Sequence, residues 1–143
     1  MSTEENKTVV RRLYEEMNKH NWAGIEELYA PDYVVHSTGV FPDLDRAGLK
    51  QLMPAVWTAF PDMHYTVEDM IAEGDKVVSR VTVRGTHQGD LMGMPPTGKQ
   101  VSWTGIEIDR IEDGKFVESW MNTDDLGLMQ QLGAIPQMAP TGA

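Results

Sequence analysis

Apolar residues recur at helical spacing in the first part of the chain and at alternate positions in the second, so the pattern predicts helices first and strands after. Ser2 and Glu5 have the spacing of a capping box, in which a hydroxyl and a carboxylate each satisfy a free N–H at a helix start. Val9, Val10, Leu13, Tyr14 and Met17 then predict an amphipathic helix from about Thr3 to His20. Asn21 can cap a short second helix carrying Ile25, Leu28 and Tyr29, which Pro31 ends because proline offers no N–H. The stretch DYVVHS reads as a strand with Val34 and His36 on one face and Tyr33 and Val35 on the other. Asp45 opens a third helix with the stripe Leu49, Leu52, Met53, Val56, Trp57 and Phe60, and Pro54 inside it predicts a kink.

Beyond Asp62 the period changes to two. Two hairpins are expected, turning through Gly74-Asp75 and Asp113-Gly114, pairs that tolerate the positive φ of tight turns. Between them the stretch GTHQGDLMGMPPTGKQV is a loop, and DDLGLMQQLG is a short capped helical turn. With 143 residues, 41% of them hydrophobic, the chain can bury one good core, so residues 1–134 are expected to form one domain. Residues 135–143, rich in Pro, Gly and small side chains, are expected to be a disordered tail. Helices followed by antiparallel strands describe an α+β domain.

Charge and composition narrow the partners. The formal charge is −10 and the basic residues are scattered, which disfavours nucleic acid and anionic membrane. Cysteine is absent, removing disulfides, thiol nucleophiles and thiolate metal sites, and no apolar stretch is long enough for a membrane span or a signal segment. A cytoplasmic location is the resulting expectation. No HExxH, GxSxG, P-loop or GxGxxG occurs, and the histidines lack metal-ligand spacing, so neither a metal nor a cofactor is expected. What remains is side-chain acid–base chemistry, or ligand binding without chemistry.

Strand alternation selects the candidates. Val77, Val81, Val83, Gly85 and His87 share one face, with Arg80, Thr82 and Arg84 opposite; His87 either ties the strand end to the loop or stands at a cavity rim. On the last strand Phe116, Glu118, Trp120, Asn122 and Asp124 fall together, as a pocket wall with an aromatic, an amide and a carboxylate would. Asp124 has a second reading as the cap of the terminal helix. His36 reads as a buried backbone-bonded histidine, and Trp103 and Trp120 as core aromatics.

The segments YVVH, FPDMHYTVEDMIAEGDKVVSRVTVRGTHQG, PPTGKQV, DGKFVESW and DDLGLMQQLG, in that order, resemble the SnoaL-like polyketide cyclases, or ester cyclases. That family belongs to a superfamily including ketosteroid isomerase and scytalone dehydratase. The resemblance spans nearly the whole chain, and Pro54 departs from it. It implies a cone-shaped α+β barrel, a curled antiparallel sheet around the N-terminal helices, open at one end to a mostly apolar pocket, and a homodimer formed through the outer sheet face. It further implies ring closure by intramolecular aldol condensation on a small apolar carbonyl compound. In that scheme Asp124 is the base, His36 and His87 relay protons, and Asn122 orients the substrate. Trp103, Trp120, Trp57 and Tyr14 form the pocket walls. A hydrophobic-ligand binder of the same fold, or an isomerase or hydrolase such as an epoxide hydrolase using Arg80 with Asp124, is the alternative.

Overall fold

The computed structural model describes residues 1–39 and 41–136. Helix α1, Thr3–Asn18, starts as expected: Ser2 accepts from the Glu5 N–H while Glu5 accepts from the Ser2 N–H. Its face bearing Val10, Leu13 and Tyr14 is buried. Helix α2, Trp22–Leu28, lacks the expected side-chain cap, because the Asn21 amide donates to Glu16 at 2.7 Å instead. It also ends at Leu28, before Pro31. Strand β1, Tyr29–Ser37, runs through that proline at a point where its pairing is irregular, so the missing N–H interrupts no regular ladder. Strand β2, Leu44–Asp45, is a short edge piece that the pattern did not reveal. Helix α3, Arg46–Ala59, is capped by Asp45 and continues through Pro54.

Strands β3 (His64–Glu73), β4 (Lys76–Thr86), β5 (Gln100–Glu112) and β6 (Lys115–Thr123) follow. Both hairpin turns fall where expected: Gly74 has φ +60°, and Asp113 and Gly114 have φ 51° and 75°. Helix α4, Asp125–Leu132, stops at Gly133, whose φ of 82° suits a left-handed helix end. The strands form one curled, unclosed sheet in the order β2-β1-β6-β5-β4-β3. The α+β class read from the sequence is the observed one. The sheet is mixed, however, since β1 pairs parallel with β6, a contact between distant segments that no local pattern encodes. The tail expected over 135–143 lies, from residue 137 on, outside the described residues.

One irregularity decides which side chains face inward. Arg110 pairs with Glu118 and Ile111 with Phe116, so Val117 is an extra residue in β6. A one-residue bulge reverses the alternation beyond it. Phe116 is therefore buried, and after the bulge the inward positions are Ser119, Met121 and Thr123.

Candidate active site

Between the inner sheet face and helices α1, α3 and α4 lies a cavity of about 140 Å3. Leu13, Met17, Leu49, Met53, Val81, Val83 and Trp103 supply apolar walls. The segment Phe41, Pro42 and Leu44 and the loop residues Leu91 and Met92 border it as well. That loop is tied down at its base, where the His87 N–H donates to Lys99 O and the Gly98 N–H to His87 O, at 2.9 and 2.8 Å. At its tip Leu91 and Met94 exchange N–H···O bonds around Met92 and Gly93, both at positive φ.

Part of the polar wall comes from β5, whose inward residues are Val101, Trp103, Gly105, Glu107 and Asp109. Glu107 lines the cavity, and Asp109, two residues on, is fully buried. The two carboxyls are close enough for each to alter the protonation of the other. Ser119 donates to Asp109 Oδ1 at 2.5 Å, and the Tyr33 hydroxyl donates to Ser119 at 2.8 Å. Asp109 Oδ2 is buried and has no hydrogen-bond donor of good geometry, a need that a proton on the Glu107 carboxyl would meet. Burial, then the Asp109 charge, pushes Glu107 well above the usual carboxyl range. Burial pushes Asp109 up to about 6, against hydrogen bonds from Glu107 and Ser119 that favour its charged form. The pair titrates as one unit, and burial favours a single negative charge on it over two. The Tyr14 hydroxyl lies beside Glu107 and Ser79 without a hydrogen bond of good geometry to either, and burial keeps it protonated.

The residues expected from sequence are distributed otherwise. Tyr14 and Trp103 line the cavity. Trp57 does not; its ring stacks on His20 at 4.8 Å. His87 is fully buried behind the lining residue Phe60, and its Nδ1 accepts from the Thr97 N–H at 3.2 Å, so it secures the loop rather than standing at the rim. His36 points to the outer sheet face, between Asp43 at 3.0 Å and Glu118 at 2.7 Å, whose hydrogen bonds raise its pKa, Asp43 first. Trp120 and Asn122 lie on that outer face too, because of the bulge at Val117. Asp124 is exposed and accepts from the Gly127 N–H at 3.0 Å, the cap reading of the two offered by the sequence. Replacing Asp124 by alanine is expected to lower stability by about 0.5–2 kcal/mol, and by asparagine to leave it nearly unchanged, as urea unfolding would show. Glu107, Asp109 and Ser119 were missed, although counting by twos from Trp103 reaches both carboxylates.

The family model described as SnoaL-like polyketide cyclase matches residues 8–132, from α1 to the end of α4. The chain belongs to this family. Among curated relatives, the aklanonic acid methyl ester cyclase DnrD of Streptomyces peucetius is 39% identical over 69 residues, 48% of this chain and 47% of that protein. The match thus spans about half the length of that relative. The nogalonic acid methyl ester cyclase of Streptomyces nogalater is 31% identical over 113 residues, covering 76% of this chain and 83% of its own. The crystal structure of AclR from Streptomyces galilaeus, a proposed hydroxylase, is 36% identical with a TM-score of 0.87, over 96% of this chain and 87% of that one. The α+β fold with its curled, unclosed sheet matches that of the solved structural neighbours. Among the described residues, no helix is long and apolar enough to cross a membrane, and no group of three or more His, Asp or Glu side chains is placed to hold a metal ion.

Proposed function

We propose that this SnoaL-like protein closes a ring on a small, neutral carbonyl compound by side-chain proton transfer, with Glu107 as the group that exchanges protons with the substrate. The observation that carries this reading is the desolvated carboxyl pair Glu107–Asp109 in the wall of a mostly apolar cavity. Among the described lining residues there is no Lys, Arg or His, so a substrate carboxylate would meet only acidic side chains, those of the pair and of Asp125. Neutral ketones and esters fit better. The volume is close to that of cavities, roughly 150 Å3, that admit one aromatic ring, and six lining methionines give the walls some adaptability.

The steps follow from where the proton sits. When the pair's proton moves onto Asp109, Glu107 becomes a carboxylate facing the cavity. It removes a proton from a methylene between two carbonyls, and the C–H electron pair becomes an enolate beside the Tyr14 hydroxyl. The enolate carbon attacks a further carbonyl of the same molecule, outside the two that flank it, forming the C–C bond and turning that oxygen into an alkoxide. Glu107 returns its proton to the alkoxide, so the product is an isomer of the substrate and the pair is restored.

Methyl acetoacetate in deuterium oxide provides the test, with loss of its methylene proton signal followed by NMR. Exchange well above background with the ester, and much weaker exchange with acetoacetate at the same concentration, is the expected result. Binding of the ester without exchange at any pH would instead establish a hydrophobic-ligand binder of this fold.

A further inference from the structure

Asp109 is fully buried, yet nothing in the steps above says why its partner, and not Asp109 itself, carries the proton at rest. Both carboxyls lie on the inner face of β5 and both are desolvated. What distinguishes them is a chain of hydroxyls reaching only one of them. Tyr33 on β1 donates to Ser119 on β6 at 2.8 Å, and Ser119 donates to Asp109 Oδ1 at 2.5 Å, all three side chains being buried. A hydroxyl has one proton to give, and Ser119, already accepting from Tyr33, has its own proton directed to Asp109. A short bond to a charged acceptor is the stronger kind, so this arrangement favours negative charge on the acceptor.

We propose that Ser119, held by Tyr33, is a positioning residue for the carboxyl pair: its hydroxyl keeps the negative charge on Asp109 and the proton on the cavity-facing Glu107. Its catalytic meaning rests on the proposed function, but the charge arrangement does not. A resting neutral Glu107 lets an uncharged substrate enter without facing a bare carboxylate, and crossing of the proton to Asp109 arms the base. The other titratable groups facing the pair are Tyr14 from α1, Tyr29 and Tyr33 from β1 and Tyr65 from β3. Burial raises the pKa of each, so none competes for the proton near neutral pH.

The test is titration of the Asp109 and Glu107 side-chain carboxyl carbons by NMR in the wild type, Ser119→Ala, Ser119→Thr and Tyr33→Phe. Ser119→Ala should shift the Asp109 titration upward by about one unit, a tenfold weaker acid, with charge redistributed towards Glu107. Tyr33→Phe should shift it less in the same direction, and Ser119→Thr, which keeps a hydroxyl, should restore it. Methyl acetoacetate exchange should show its acid limb moving by the same amount. An Asp109 titration that stays put or falls in Ser119→Ala would overturn the proposal, since the hydroxyl chain would then accept from a neutral Asp109. If Ser119→Ala does not fold, Tyr33→Phe against Ser119→Thr decides by the same criterion. Shifted titration with no wild-type exchange at any pH would uphold the positioning role and reject the proposed chemistry.

Discussion

Replacing Glu107 by glutamine is expected to slow methylene exchange of a neutral β-keto ester by about 10²–10⁴-fold, the range that a positioned general base supplies. Glutamine keeps the length and the polar end of the side chain, and its amide can still donate to Asp109. Binding of the ester should therefore persist while proton transfer is lost, so the effect falls on kcat more than on KM. Asp124→Asn, on the exposed cap of α4, and His36→Gln, on the outer sheet face, should leave exchange within about twofold of wild type. NMR exchange rates on the four proteins make the comparison. A fall in Asp124→Asn alone would return the chemistry to the last strand.

The same substitution should stabilise the protein, and by an amount that grows with pH. Glu107 and Asp109 both have folded pKa values above their ordinary ones, 4.5 and 3.8. Above those values the unfolded chain has released these protons while the folded protein still holds them. Stability from these groups is thus complete at low pH and declines as pH rises, by about 1.4 kcal/mol per pH unit for each group. The Asp109 share stops growing near its folded value of about 6, whereas the Glu107 share continues to grow at higher pH. Glu107→Gln removes that share, and urea unfolding should show a gain in stability that grows as pH rises above the ordinary glutamate pKa and vanishes below it. His36 also contributes stability that is lost as pH rises through its raised pKa. Glu5, Asp43, Asp62 and Glu118, with lowered values, lose theirs as pH falls. These surface groups are the same in both proteins and cancel in the difference.

The helices, both hairpins and the α+β class were legible because caps, turn residues and periodicity are local properties. The parallel pairing of β1 with β6 was not, since it joins segments far apart in sequence. The site was harder to read for a related reason. Alternation was the correct tool on β4, where it placed His87 inside, but burial there proved structural. On β6 the bulge at Val117 reversed the alternation, carrying Trp120 and Asn122 outward and Met121 and Thr123 inward. On β5 two apolar series compete: Ile106 and Ile108 suggest one face as the core, Val101 and Trp103 the other. Acidic residues at 107 and 109 look solvent-facing by hydropathy alone, and only the second series brings them inside. Their cost in desolvation is met by each other, by Ser119 and by Tyr33, partners that other strands provide.

The bulge at Val117 also bears on how such a cavity can change. Between Phe116 and the chain's return at Asp124 the cavity wall is set by a single unpaired residue, not by the identities of the side chains after it. Deleting Val117 would restore regular pairing and leave Met121 and Thr123 inside, whereas absorbing Val117 into the ladder with every residue kept would slide the strand by one position and bring Trp120 and Asn122 to the inner face. Such a slip would exchange a flexible apolar wall for an aromatic and amide-bearing one, while β5 keeps its carboxyl pair. Ser119 lies on the same strand beyond the bulge and would turn away from Asp109 in the same slip, so ligand preference and proton chemistry change together through β6.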